Sequence, residues 1–351
     1  MIRTGRHIAF RLLLLSVVPL FWGCSLIDEE LSGCVKSQGM EYELQLVTNF
    51  STELETKLRM STEVALSAAL RTYLAPVFTD HADDVDLSFY DVQGDSLRLH
   101  YEQHMMDASQ SSYTLLIPVH RYMHLATVNV MGNQAARLLK DEKCHSAMLA
   151  LEEADTVASQ RTGLFTARLP MDVVEGKDQQ FDVHLSMANC ATSLVLDTHD
   201  VQARDIRVFV SGMAHSFSIA DSIYHYRPGM VVRAERLEWT DDAQEWEQCF
   251  TAVGFPTRDV KAESKVIIET DDFVEPGTDT EPVWEIHVLV TLQDGSVTRS
   301  VLQVYRSVKA GQYSIIKAYL RDDGAIETQD VSVGVSVKLN WKPGGNFIVP
   351  V

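Results

Sequence analysis

The strongest constraint on this chain is a hydrophobic period of two. Val331, Val333, Val335, Val337, Leu339 and Trp341 alternate with Ser332, Gly334, Ser336, Lys338 and Asn340. Only an extended backbone gathers such a set on one face, because a helix would scatter it around its circumference. The pattern recurs. Tyr42, Leu44, Leu46, Thr48 and Phe50 alternate with Glu43, Gln45, Val47 and Asn49. Val85, Leu87 and Phe89 alternate with Asp86, Ser88 and Tyr90, and after a turn containing Gly94 the series Leu97, Leu99, Tyr101 predicts the second arm of a hairpin. Residues 113–117 and 125–131 add two apolar strands, the first ended by Pro118. Residues 181–195, 206–210 and 231–239 continue the pattern. Residues 284–292 and 297–304 flank Gln293-Asp294-Gly295-Ser296, where Asp-Gly predicts a hairpin closed by a type I′ turn.

Only residues 62–75 favour a helix, with Leu66, Leu70, Tyr73 and Leu74 on one face and Pro76 as the stop. Many short strands with one short helix predict an all-β fold of two tandem antiparallel β-sandwiches. The polar stretch 175–180 marks a boundary, giving an N-terminal domain over 41–174 and a C-terminal domain over 181–351. No repeat of 20 to 50 residues is present, which disfavours a solenoid or propeller.

The N-terminus carries an address. Arg3, Arg6 and Arg11 lead into the apolar run 12–22, and no acid appears before Asp28. A spanning helix needs about 20 apolar residues. A basic segment, a short apolar core and a small residue instead describe a secretory signal over 1–23. Phe21-Trp22-Gly23-Cys24 resembles a bacterial lipobox. That resemblance implies a lipid on Cys24, with 24–40 as a lipidated tether. Each buried methylene contributes roughly 0.8 kcal/mol, so two acyl chains anchor stably where one does not. Asp28, Glu29 and Glu30 resemble the acidic signal that sends Bacteroidetes lipoproteins to the outer face of the outer membrane.

The whole chain has 49 acidic residues against 30 Lys plus Arg, a net charge of −19. Removal of 1–23 takes away three Arg and no acid, leaving −22 over 328 residues. Such a chain lacks the clustered cations that nucleic acid binding needs. Once Cys24 is spent on lipid, Cys34, Cys144, Cys190 and Cys249 remain, an even number suited to disulfides in an oxidising compartment. Their three connectivities stay open.

Chemistry is sparse. There is no P-loop, Rossmann fingerprint, His-Glu-x-x-His or Gly-x-Ser-x-Gly. His100 with His104 and His120 with His124 are four apart, but on strands that spacing separates the rings by about 13 Å. The acidic runs at 80–84 and at Asp271, Asp272, Glu275, Asp279 and Glu281 lack EF-hand spacing. Cys144-His145 are neighbours in sequence, which does not make a nucleophile and its base. No catalytic residue, cofactor or metal ligand is therefore nominated, and a non-enzymatic protein is expected.

A family resemblance joins these pieces. In order come the lipobox, Leu31-Ser32-Gly33-Cys34, a first strand, Asp84-Val85-Asp86-Leu87-Ser88-Phe89-Tyr90-Asp91 with Gly94, Tyr113-Thr114-Leu115-Leu116-Ile117-Pro118-Val119, and Leu125-Ala126-Thr127-Val128-Asn129-Val130-Met131-Gly132-Asn133. This arrangement resembles the FimB-type fimbrial anchor lipoproteins of Bacteroidetes, most clearly over residues 20–135. The resemblance implies transthyretin-like domains, fimbrial shaft (fimbrillin) subunits as partners, and the outer membrane as location. It also implies assembly by strand exchange, for which Val331, Val333, Val335, Val337, Leu339 and Trp341 form the candidate donor strand. The alternative is a surface adhesin or glycan-binding lipoprotein, fimbrial tip and accessory subunits included. That reading requires exposed aromatics in a groove, with Trp239, Trp246 and Trp284 as candidates.

Overall fold

The computed structural model describes residues 37–47, 64–78, 82–92, 98–105, 112–199, 201–239, 246–258, 283–328 and 335–339. Among the described residues it is all-β apart from one helix, α1 (Val64–Leu74), and a single 3-10 turn at Cys144–Ser146.

The first body is one sheet of seven strands: β1 (Ser37–Val47), β2 (Val85–Asp91), β3 (Arg98–Met105), β4 (Ser112–Pro118), β5 (Arg121–Val128), β9 (Phe165–Asp172) and β10 (Gln180–Met187). Their order is β3-β2-β5-β9-β10-β1-β4. The period-two residues explain the shape. Val85, Leu87 and Phe89, Tyr122, Ala126 and Val128, Leu115 and Ile117, and Val183, Leu185 and Met187 all enter one core. A single sheet can gather them only by folding over on itself. It does so between β9 and β10, which share just the pairs Ser186–Thr166 and Met187–Phe165.

The second body has three sheets. β16 (Glu235–Leu237), β17 (Glu247–Gly254), β11 (Cys190–Asp197), β20 (Tyr313–Leu320) and β21 (Ile326–Glu327) form the first. β22 (Val335–Leu339), β19 (Val297–Val304), β18 (Trp284–Leu292), β12 (Ala203–Ser211), β15 (Val231–Arg233) and β8 (Thr156–Ala158) form the second. β14 (Ile223–His225), β13 (Ser216–Ser218), β7 (Met148–Leu151) and β6 (Ala136–Leu139) form the third. Leu194, Leu196, Val208, Val210, Ile286, Val288 and Ile316 pack between the two larger sheets.

The bodies are interleaved. Leu66, Leu70 and Leu74 of α1 lie on the outer face of the five-stranded sheet, against Val195, Val253, Tyr313 and Ile315. At roughly 1.5–3 kcal/mol per buried leucine this docking fixes the helix. β6, β7 and β8 also precede the predicted boundary yet pair within the second body. Tyr90 and Leu125, from the back of the first sheet, join the second core. The sheets therefore do not divide at residues 175–180.

Several sequence expectations resolve in detail. The β2–β3 hairpin forms, with a bulge at Phe89/Tyr90. The β18–β19 hairpin forms too, but its turn is not type I′. The Gly295 amide donates to the Leu292 carbonyl at 3.0 Å, and of the turn residues only Gly295 has positive φ, at +85°. That is a three-residue loop, a type I turn followed by a left-handed glycine. Asp294 stays right-handed because its carboxylate accepts from the Ser296 amide at 2.9 Å and the Ser296 hydroxyl at 2.7 Å. The predicted strand 231–239 is broken at Ala234, where the chain leaves one sheet for the other.

Asp84 and Asn129 explain why their motif segments lie together. The Asp84 carboxylate accepts from the Val130 and Met131 amides, each at 3.1 Å, and the Asn129 side chain accepts from the Asp83 amide at 2.7 Å. Asn129 takes the left-handed conformation, φ 63°, that ends β5. Asp84 is almost fully buried. Asp84→Ala is expected to lower stability by about 2 kcal/mol or more, since two amides lose a charged acceptor. Urea denaturation would measure this, and a loss below about 0.5 kcal/mol would contradict it.

Candidate functional site

Cys24, Asp28, Glu29, Glu30, Cys34, Val331, Val333 and Trp341 lie outside the described residues. Val335, Val337 and Leu339 lie in β22, opposite Val304, Leu302 and Ser300 of β19. β22 is the outermost strand of its sheet and has β19 as its sole strand partner among the described residues. The described part of the candidate donor segment thus occupies an edge, paired with its own chain. An edge strand keeps one row of backbone groups available to another strand.

A serine, a histidine and a carboxylate come together on β12 and β18, and Ser218 and His225 form a second serine–histidine contact, at 2.8 Å. The Ser211 hydroxyl lies 3.0 Å from His287 Nε2, with Glu285 at 3.5 Å from the same nitrogen. The other ring nitrogen, Nδ1, accepts from the Arg299 guanidinium at 3.2 Å. A guanidinium only donates, so the ring proton sits on Nε2 and points at Ser211. In that tautomer Nε2 donates to the Ser211 hydroxyl rather than accepting from it. Burial pushes the His287 pKa below its ordinary value, Glu285 opposes this and Arg299 adds to it. A cavity of about 420 Å³ opens beside Ser211, lined also by Tyr226, Arg258, Trp284 and Gln303. Among the described residues no group of three His, Cys, Asp or Glu is placed to hold a metal ion.

The histidine pairs are engaged elsewhere or not described. The side chains of His100 and His104 are not described. His120 Nε2 meets Asp91 at 2.7 Å, while His124 is wholly buried, stacked on Phe89 at 4.3 Å and donating from Nδ1 to the Ser88 carbonyl at 3.1 Å. His145 turns outward to Asp221 at 3.1 Å, away from the buried thiol of Cys144.

No disulfide joins the described cysteines to one another, and Cys34 lies outside the described residues. Cys144, Cys190 and Cys249 are all free and buried. Cys190 faces Gly254 across the β11·β17 ladder, whereas Cys249 faces Val195. Five residues of strand separate the two by about 17 Å, beyond any disulfide. Burial raises the thiol pKa to about 11 at Cys144 and about 12 at Cys190 and Cys249, so each stays protonated and inert. Denaturation without reductant is expected to release three titratable thiols from these positions. Peptide mapping that finds any two of them joined would overturn that expectation.

Two of the three candidate tryptophans are buried. Trp239 is buried under α1, and Trp284 is buried with its indole N–H donating to the Arg306 carbonyl at 2.8 Å. Of the three, only Trp246 is exposed, at 45%. Sequence reasoning missed Lys140, which reaches across from the end of β6 to bond both Asp86 oxygens at 2.8 Å and to pair with Glu102. The polar residues within a buried strand, Asp86 and Ser88 of β2, were its available signal.

His124 should make stability depend on pH. Burial lowers its folded pKa from an ordinary 6.5 to about 4. The unfolded chain therefore binds a proton first as pH falls. The contribution is complete above about pH 6.5 and is lost between there and pH 4, amounting to about 3 kcal/mol. Stability measured from pH 7 to 4 is expected to fall by about that much more in the wild type than in His124→Phe. Parallel curves would refute it.

No protein-family model matches the chain, and no curated protein sequence matches it. Solved structures do. A Bacteroides thetaiotaomicron protein described as a candidate polysaccharide-binding protein is 8% identical, with a TM-score of 0.49 over 84% of this chain and 99% of its own. The fimbrial anchor protein Mfa2 from Porphyromonas gingivalis is 10% identical, with a TM-score of 0.47 over 86% of this chain and 97% of its own. The tip fimbrial protein Mfa3 of the same organism, truncated at its C-terminus, is 9% identical, with a TM-score of 0.39 over 87% of this chain and all of its own. The solved structures this chain is similar to thus include fimbrial proteins.

Proposed function

We propose that this chain is a surface lipoprotein that holds the base of a fimbrium on the outer membrane, a structural subunit rather than an enzyme. In this reading Cys24 carries the lipid, the expected tether of 24–40 is shortened by β1, which begins at Ser37, and the acidic Asp28, Glu29 and Glu30 direct export to the outer face. The observation that carries the reading is the position of β22. It is an edge strand near the C-terminus, held by β19 alone among the described strands, at the opposite end of the sequence from the lipid. Such a strand can leave its slot and complete a shaft subunit, with backbone hydrogen bonds supplying affinity and alternate side chains supplying fit. The tautomer at His287 and the inert thiols are consistent with a protein without catalytic chemistry. The adhesin reading needs exposed aromatics in a groove; Trp239 is in the core, while Tyr226 and Trp284 line the cavity beside Ser211.

Cells carrying Cys24→Ala are expected to assemble fimbriae and shed them into the medium. Fimbriae that stay on those cells would exclude anchoring through this residue. Deleting residues 331–351 tests the strand: a folded, surface-exposed deletion protein still bound to its fimbrium would rule out donation.

A further inference from the structure

An anchor of this kind, and the inference rests on the anchoring reading, works under tension between its lipid and its fimbrium. Three strand pairs among the described residues are parallel, β1·β10, β11·β20 and the three-residue β15·β8. The two long ones stand in series along the path that tension would take.

The link between them is one extended segment. β10 ends at Met187 and β11 begins at Cys190, with only Ala188 and Asn189 between, and neither lies in a turn or bend. Ala188 continues the β9·β10 ladder, its amide donating to the Leu164 carbonyl at 2.7 Å. Asn189 continues the β11·β20 ladder, its carbonyl accepting from the Gly311 amide at 2.7 Å. Gln180 to Asp197 therefore form a rod of 18 residues through both bodies, about 60 Å long.

Pulling on the tether draws β1 from its N-terminal end. β1 is joined to the rod by seven parallel residue pairs, Glu41–Gln180 to Val47–Ser186. Pulling from the fimbrial side, with β22 donated, peels the two pairs of β21 and then draws β20 from its C-terminal end. β20 is joined to the other end of the rod by seven parallel pairs, Ala191–Tyr313 to Asp197–Tyr319. In each case parallel neighbours are pulled at opposite ends along their own axes. All seven rungs then resist together, whereas an antiparallel hairpin pulled apart at its open end yields one rung at a time. We infer that residues 180–197 form a tension-bearing rod, clamped in shear by β1 at the lipid end and by β20 at the fimbrial end.

Single-molecule pulling on the full mature chain tests this with one fold and two attachment geometries. The shear geometry uses the tether thiols and Asp322→Cys, an exposed position just beyond β20. Either tether thiol, Cys24 or Cys34, loads β1 from its N-terminal end. The opening geometry uses the same tether with Arg121→Cys, an exposed residue three positions after Pro118, which faces Ser37 across the β1·β4 ladder. Both variants should melt as the wild type does. The force needed to unfold at equal loading rate is expected to be at least about twofold higher in the shear geometry. Forces that are equal, or lower in the shear geometry, overturn the inference and leave the anchoring reading untouched. The ratio is read on isolated protein, so a failure of the fimbrial shedding experiment would not alter it.

Discussion

From α1 onward, four segments of this chain cross between the two bodies, and burying them creates a polar debt that three asparagines settle. The crossings run from α1 to β2, from β5 to β6, from β8 to β9 and from β10 to β11. Asn129, on the second, accepts from the Asp83 amide on the first. Asn133 accepts from the amides of Ala135 and Ala136 and donates to the Thr162 carbonyl on the third. Asn189, on the fourth, accepts from the Leu164 amide at 2.6 Å and donates to Gln160 and to the Thr162 carbonyl. A carboxamide suits this seam because it donates and accepts at once over a short reach. Backbone groups left unpaired there would each cost about 1–3 kcal/mol. Gly163 completes the seam: its amide donates to the Pro76 carbonyl, and a Cβ at that position would collide with the Val77 carbonyl.

The seam makes the two bodies dependent on each other. The five-stranded sheet carries buried polar side chains on the face under α1, where Tyr313 donates to Ser193 and Ser193 bonds Thr251 at 2.7 Å. Without the helix that row would face water, and Leu66, Leu70 and Leu74 would lose their partners. On the other side, Lys140 ties the end of β6 to Asp86 and Glu102 in the first sheet. A cut at residues 175–180 would leave α1 and β6 to β8 in a fragment without the strands they pack on.

Local pattern was legible where one face of a strand meets the core. β1, β2, β3, β12, β18 and β19 were visible as alternation, β4 and part of β5 as apolar runs, and α1 as a spacing of four ended by Pro76. The long run predicted over 181–195 was the rod itself, seen as strand but not as a bridge. β9 and β20 were missed for physical reasons. β9 contains Pro170, which argues against a central strand. The structure admits it because β10 pairs with β9 only at Phe165 and Thr166, so Pro170 lies where β9 has no second neighbour. β20 reads Tyr-Ser-Ile-Ile-Lys-Ala-Tyr-Leu, in which both faces are apolar because helix and core cover the two sides. The candidate site was legible in part: the donor segment was visible as alternation, but its place at a sheet edge is a fact of topology.

Parallel pairing requires a long connection, and this chain uses the connection constructively. Between β1 and β10 it lays down α1 and β6 to β8, which belong to the second body. Between β11 and β20 it lays down most of the strands that face β11 across the core. Neither clamp on the rod can close until the intervening elements have found places in both bodies. Contacts so distant in sequence slow folding, because loop closure must precede any gain from pairing. The same remoteness couples the parts once folded. Pulling β1 loose disturbs β10, and through Ala188 and Asn189 it reaches β11 and the second core. A tandem of independent sandwiches would fail at its linker, whereas here the two linking residues hydrogen-bond to both bodies.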